Sequence, residues 1–224
     1  DTAGHHGIRA VGVTDFTYRD ASIVGAGDAN DEYGIWFNGG HGSNLVDNVL
    51  FDDVNETAIQ VRAFTTDDAV TDLFTFQNVD VQDHSLAGNG EHGINVTAES
   101  TADADVLIDN CTFDINFEGS LGVNARTINT ASLVCTIREC TFDAGDAFGS
   151  GSIQLIAADT STATFNVIDN DLNLSPNTAI LINNDDNATS FATVAGTDID
   201  FNPAFHNGFG ISMRQDEEGP FKAL

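Results

Sequence analysis

Gly93-Ile94-Asn95-Val96 and Asn110-Cys111-Thr112-Phe113 return 29 residues later as Gly122-Val123-Asn124-Ala125 and Glu139-Cys140-Thr141-Phe142. Internal repetition of this kind organises a chain before any local pattern does. Working outward, a small residue followed by Ile or Val recurs as Gly7-Ile8, Gly34-Ile35, Ala58-Ile59, Gly93-Ile94, Gly122-Val123, Ser152-Ile153, Ala179-Ile180 and Gly210-Ile211. The intervals run from 24 to 35 residues and average 29. A second anchor follows about half a period later: Asp15-Phe16-Thr17-Tyr18, Asn48-Val49-Leu50-Phe51, Asn78-Val79-Asp80-Val81, and the two segments ending at Phe113 and Phe142. Asn170-Asp171-Leu172-Asn173-Leu174 is the same element slipped by one residue.

Between anchors the chain alternates, as in Val106-Leu107-Ile108 and Cys135-Thr136-Ile137, which sends successive side chains to opposite faces of a strand. No 3.6-residue period is sustained, and the joining segments are rich in the turn formers Asp, Asn, Gly, Ser and Thr. These features predict an all-β fold, a parallel β-solenoid of about eight coils with roughly 29 residues each, forming one domain over residues 1–224. Propeller blades need about 40 residues, and leucine-rich repeats need Leu at fixed positions that are not Leu here. An antiparallel sandwich would not require matching residues one period apart.

Stacking makes the expectation specific. Val46, Phe76, Ile108, Ile137 and Ile168 should share one core column, and Phe51, Val81, Phe113 and Phe142 another. Asn48, Asn78, Asn110 and Asn170, interrupted by Glu139, should form an asparagine ladder at a recurrent bend. At a strand spacing of about 4.8 Å, eight coils make a rod roughly 40 Å long.

The 224 residues carry 35 Asp and Glu against 7 Lys and Arg, a formal charge of −28. That balance excludes nucleic-acid binding, which needs clustered cations, and disfavours docking on anionic membranes. Strong acidity accompanies disorder only where apolar residues are scarce, and here 41% are hydrophobic. No apolar run approaches the roughly 20 residues that span a bilayer, so membrane insertion is not expected. With Asp1 first and Met213 the only methionine, the chain reads as a processed product or a segment of a longer polypeptide.

With its Gly-Ile anchors and Asn-x-x-Phe bends, the sequence resembles the right-handed parallel β-helix proteins, the pectin lyase-like superfamily. That superfamily includes pectate lyases, polygalacturonases, phage tailspikes and bacterial surface proteins. The resemblance implies a right-handed parallel β-helix and says little about activity, because the fold hosts unrelated functions. Polygalacturonase-like enzymes carry a Gly-His-Gly motif, matched by Gly40-His41-Gly42, yet no aspartate pair precedes it and no Arg-x-Lys follows; it reads as a polar turn. Lyases of similar architecture abstract a proton with Arg or Lys. Here Arg62, Arg126 and Arg214 each lie three residues past an anchor Ile or Val and should share a column, two and then three coils apart. They are too far apart to act on one bond, and no catalytic or cofactor-binding residue is assigned.

Among the histidines, His6 and His92 precede an anchor in a slot held elsewhere by Tyr33 and Phe209, which predicts ring packing over a turn; no zinc spacing is present. Cys111 and Cys140, 29 apart, fall on adjacent coils, either as buried small hydrophobes or as a disulfide. Asp28-x-Asn30-x-Glu32 followed by Gly34 resembles part of a calcium loop, so Asp28, Asn30 and Glu32 are the candidate calcium ligands. Asp52-Asp53, Asp67-Asp68 with Asp72, and the run 183–187 are further acidic clusters.

The expectation is a secreted or cell-surface structural or adhesive segment of a surface protein, fibre or layer, in contact end to end with copies of itself or adjoining coils and with surface glycans. The rival is a carbohydrate-active β-helix, a lyase, hydrolase or glycan-binding module, for which Trp36, Tyr18 and Tyr33 are the only Trp and Tyr.

Overall fold

The structure, a computed structural model, describes residues 6–26, 32–54, 56–65, 71–82, 92–114, 120–143, 151–175, 178–201, 209–216 and 221–223. The chain is a parallel β-solenoid without helix among the described residues. Its first sheet has eight strands: Ile8–Val11, Ile35–Asn38, Ile59–Thr65, His92–Ser100, Leu121–Thr127, Gly151–Ala157, Ile180–Asp185 and Ile211–Asp216. Each contains one anchor, and the eight anchor residues Ile8, Ile35, Ile59, Ile94, Val123, Ile153, Ile180 and Ile211 are register partners in one unbroken column. The first and last rungs are largely open to solvent, leaving about six closed turns, slightly fewer than the coils expected.

The second sheet starts with the long strands Thr17–Val24, Ser43–Asp52 and Asp72–Gln82. Above them it splits at a bend into the pairs Asp103–Asp109 with Thr112–Asp114, Ser132–Arg138 with Thr141–Asp143, Thr162–Ile168 with Asp171–Ser175, and Thr189–Ala195 with Asp198–Phe201. The bend is made by a column in the left-handed region: Asp20, Asn48, Asn78, Asn110, Glu139, Asp169 and Gly196, with φ between 51° and 61°. Asn and Asp tolerate that conformation because their short polar side chains bond locally. Part of the ladder is explicit, since Asn48 Nδ2 donates to Asp20 Oδ1 at 2.9 Å and Asn110 Nδ2 to Asn78 Oδ1 at 2.7 Å.

Three expected positions need correction. Asp20, not Asp15, is the first bend residue; Asp15 holds a left-handed turn at a different corner, beside Gly42. Tyr18 therefore joins Val46, and Ile23 joins Phe51. Val167, not Ile168, continues the Val46–Phe76–Ile108–Ile137 column, because Ile168 pairs with Arg138 on the outward side. Asp169 takes the bend, which moves Asn170 into the column of Cys111 and Cys140.

That column explains the cysteines. Asn170 is buried; its Oδ1 accepts the Cys140 N–H and its Nδ2 donates to the Ile137 carbonyl, both at 3.0 Å. Cys140 Sγ repeats the pattern one coil below, accepting the Cys111 N–H at 3.4 Å and approaching the Ile108 carbonyl at 3.7 Å. All three cysteines are free and buried. Burial pushes the Cys135 thiol up to about 12, and the Cys140 contact followed by burial raises Cys111 well above the usual thiol range.

The anchors themselves have a packing cause. A Cβ on Gly34 would stand 2.5 Å from the Ala58 carbonyl oxygen and 2.8 Å from the Phe51 ring, and one on Gly93 2.6 Å from the Gly122 carbonyl oxygen and 2.5 Å from the Phe113 ring. Coil by coil, Gly34, Gly93 and Gly122 share a turn with Phe51, Phe113 and Phe142, whereas Ala58, Ser152 and Ala179 share one with Val81, Leu172 and Ile199. A small residue is thus chosen to fit the ring half a turn later, in an interior packed to crystal density. Gly7, opposite Ile23, is the exception.

Candidate functional site

Alternation along the first-sheet strands sends side chains outward in columns, and the first two of these after the anchors run the whole height of the sheet. One holds Arg9, Trp36, Gln60, Asn95, Asn124, Gln154, Leu181 and Ser212; the other holds Val11, Asn38, Arg62, Thr97, Arg126, Ile156, Asn183 and Arg214. None of these sixteen residues is acidic, although 35 of 224 residues are, and four of the seven basic residues stand among them. The next outward column of the same sheet carries Glu99 and Asp185, so the absence of carboxylates is confined to these two columns.

Three features build the face. At its first rungs, His6 stacks on Tyr33 with centroids 5.3 Å apart and tilts against Trp36 at 4.8 Å, while the Arg9 guanidinium lies 4.9 Å over the Trp36 ring. His6 Nδ1 accepts the Tyr33 N–H at 3.0 Å, which assigns the remaining ring proton of a neutral imidazole to Nε2. At mid-height runs an amide ladder: Asn95 Nδ2 donates to Gln60 Oε1 at 2.9 Å, and Asn124 Nδ2 to Asn95 Oδ1 at 3.1 Å. Beside the ladder, Arg62 pairs with Glu99 and lies over Phe64. Arg126 and Arg214, three rungs apart in the same column as expected, are exposed and have no carboxylate partner among the described residues. An array of planar rings, amides and unpaired guanidinium groups is suited to contacting hydroxyl-rich or anionic surfaces.

Other sequence candidates are dispersed. Asp28 and Asn30 lie outside the described residues, as do His5, His84, His206, Asp67 and Asp68. Glu32 is described, and its backbone N–H donates to the Glu56 carboxylate at 3.2 Å. Among the described residues no group of three His, Cys, Asp or Glu is placed to hold a metal ion. Asp53 and Asp186 serve as left-handed corners.

Gly40-His41-Gly42 has a partner that sequence reading missed. His41 Nδ1 stands 3.4 Å from Oδ1 of Asp72, one coil away; Asp72 is 1% exposed and His41 47%. Among the described residues no donor meets either Asp72 oxygen at full hydrogen-bonding geometry. Burial raises the carboxyl above its ordinary value, and the charges of His41 and the Gly42 amide offset only part of that. Arg19 and Arg138 are on the second sheet, Arg138 in a bidentate pair with Asp109 at 2.8 and 2.9 Å. Among the described residues no helix is long and apolar enough to cross a membrane.

Comparison with known proteins finds no matching family model, curated protein or solved structure.

Proposed function

We propose that the chain is a structural and adhesive β-solenoid segment of an extracellular surface protein, fibre or layer, allied to the non-catalytic pectin lyase-like β-helices, and that it makes its contacts through the outer face of the first sheet. The observation that carries this reading is a pair of adjacent outward columns with four Arg and no carboxylate in sixteen positions, on a chain of charge −28. Elsewhere the acidic coat repels anionic surfaces; along these two columns the exposed charges are guanidinium groups. End-to-end contact has its own support: Ile211 and Met213 stand at inward, core-column positions yet are 43% and 41% exposed, a surface fitted to an adjoining coil or a neighbouring copy. Calcium ligation by Asp28, Asn30 and Glu32 is proposed alongside.

The test is binding of the immobilised chain to polysaccharides and to itself, with Arg9, Arg126 and Arg214 each replaced by Ser. Loss of binding in the triple variant with an unchanged circular dichroism spectrum supports the face; binding that ignores the three changes refutes it. The glycan-binding module is the second reading, favoured by the His6–Tyr33–Trp36 cluster and the Gln60–Asn95–Asn124 ladder. Release of reducing or unsaturated sugar ends during the same screen would replace the adhesive reading with an enzymatic one.

A further inference from the structure

The triplet Asn-x-Ser/Thr, with x other than Pro, is the acceptor for N-linked glycan transfer. The chain contains it at Asn55, Asn95, Asn110, Asn173 and Asn187. Transfer needs an asparagine whose carboxamide is free to leave the protein surface and enter another active site, so backbone setting and hydrogen bonding separate the five. Asn55 lies outside the described residues.

Asn95 sits within the strand His92–Ser100, and its carboxamide is held at both ends of the amide ladder, donating to Gln60 and accepting from Asn124. Asn110 is the left-handed bend residue, and its Nδ2 donates to Asn78 at 2.7 Å. Asn173 is half-buried in the strand Asp171–Ser175, whose register is shared with Asp143 on the coil below. Asn187 differs from these three. It is exposed in the turn between the strands Ile180–Asp185 and Thr189–Ala195, immediately after the left-handed Asp186.

The corner column to which Asn187 belongs sharpens the contrast. Thr130 and Thr160 occupy this corner on the two coils below, and their hydroxyls donate to the carbonyls of Ser100 and Asn129 at 2.8 and 2.9 Å. Asn187 keeps the backbone part of that pattern, its N–H donating to the Asp159 carbonyl at 2.9 Å. Its carboxamide makes no hydrogen bond among the described residues. The turn is closed by that main-chain bond and by the buried Asn184 Nδ2, which donates to the Ala188 carbonyl at 2.9 Å; this leaves the Asn187 side chain available, with Thr189 two residues on at the start of the next strand.

We propose that Asn187 is an N-glycosylation site. In the transfer, Asn187 Nδ2 bonds to the anomeric carbon of a lipid-diphosphate-linked oligosaccharide. The bond from that carbon to the diphosphate oxygen breaks, the lipid diphosphate departs, and the amide proton passes to a base of the membrane transferase. The donor and the transferase belong to secretory or cell-surface export, so the proposal rests on the extracellular reading.

Two arms keep the two apart. In the first, the purified, folded 224-residue chain is incubated with a purified oligosaccharyltransferase and a lipid-linked oligosaccharide, and occupancy is read by intact mass and peptide mapping. The expected result is a glycan at Asn187 at roughly tenfold or greater occupancy over Asn95 and Asn110, abolished by Asn187→Gln and by Thr189→Ala and retained in Thr189→Ser. Modification elsewhere with Asn187 bare, or no modification while a control acceptor protein is glycosylated, overturns the proposal. In the second arm the chain is exported from cells behind a signal sequence; failure to be exported folded counts against the extracellular reading and leaves the first arm to decide the site.

Discussion

Replacing Gly93 by alanine tests whether the anchors are set by the ring half a turn away. The added Cβ would stand 2.5 Å from Phe113 Cδ1 and 2.6 Å from the Gly122 carbonyl oxygen, closer than real Cβ contacts come. Phe113 is fully buried and stacked on Phe142 at 4.8 Å, so the ring has nowhere to retreat. Overpacking of a close-packed core costs about 1–3 kcal/mol, and at roughly 2–4 °C per kcal/mol for a chain this long the melting temperature should fall by about 2–12 °C. Phe113→Val alone should cost about 2–3 kcal/mol through lost burial and the cavity left behind. The double variant recreates the Ala58 and Val81 combination of the coil below. It should be more stable than the sum of the single losses predicts, by at least about 1 kcal/mol of coupling. The assay is urea unfolding followed by circular dichroism, with unchanged slope required before midpoints are compared. Additive losses, or a neutral Gly93→Ala, would refute the size-matching explanation of the repeat.

Cys140→Ala should cost about 1–2 kcal/mol by orphaning the buried Cys111 N–H. Cys140→Asn, which reproduces the bonds of Asn170, should recover that loss in the same unfolding assay. With their thiols buried and those of Cys111 and Cys135 raised, none of the three cysteines should react with a disulfide reagent at pH 8 until the chain unfolds. For Asp72 the folded carboxyl titrates above its unfolded value, so its contribution to stability is present below the unfolded pKa and lost as pH rises through the folded one. Asp72→Asn should therefore be more stable than the parent by about 1–2 kcal/mol at pH 7, with the advantage vanishing toward pH 4; a difference that does not change with pH refutes this. Millimolar calcium should raise the melting temperature by mass action and a chelator reverse it, whereas an equal response to monovalent salt would assign the effect to screening.

The fold was legible because each coil must solve the same packing problem, and a small residue before Ile beside a large ring is a rare local signature. The misplacements arise where two physical roles use one residue type. Asp15 and Asp20 are both left-handed Asp residues close to a strand, at two different corners. Val167-Ile168 offers two apolar residues in a row, and only the bend at Asp169 tells which faces inward. The candidate face is half legible: the Arg62–Arg126–Arg214 column follows from the anchors, but the column one residue after each anchor, with Trp36 and the Gln60–Asn95–Asn124 ladder, mixes residue types and has no repeated letter to mark it. Reading the residue immediately after every anchor Ile or Val finds it. The His41–Asp72 contact joins residues 31 apart in different turns, a separation that the anchors alone do not bring into register.

Among the described residues, six of the twelve non-glycine residues in the left-handed region are Asp and four are Asn, and the two differ by the exchange of one oxygen for a nitrogen. The corners accept either, so the backbone path does not depend on whether a corner carries charge. Exchanging one for the other, corner by corner, would retune the rod to a fresher or saltier medium and leave its shape as it is.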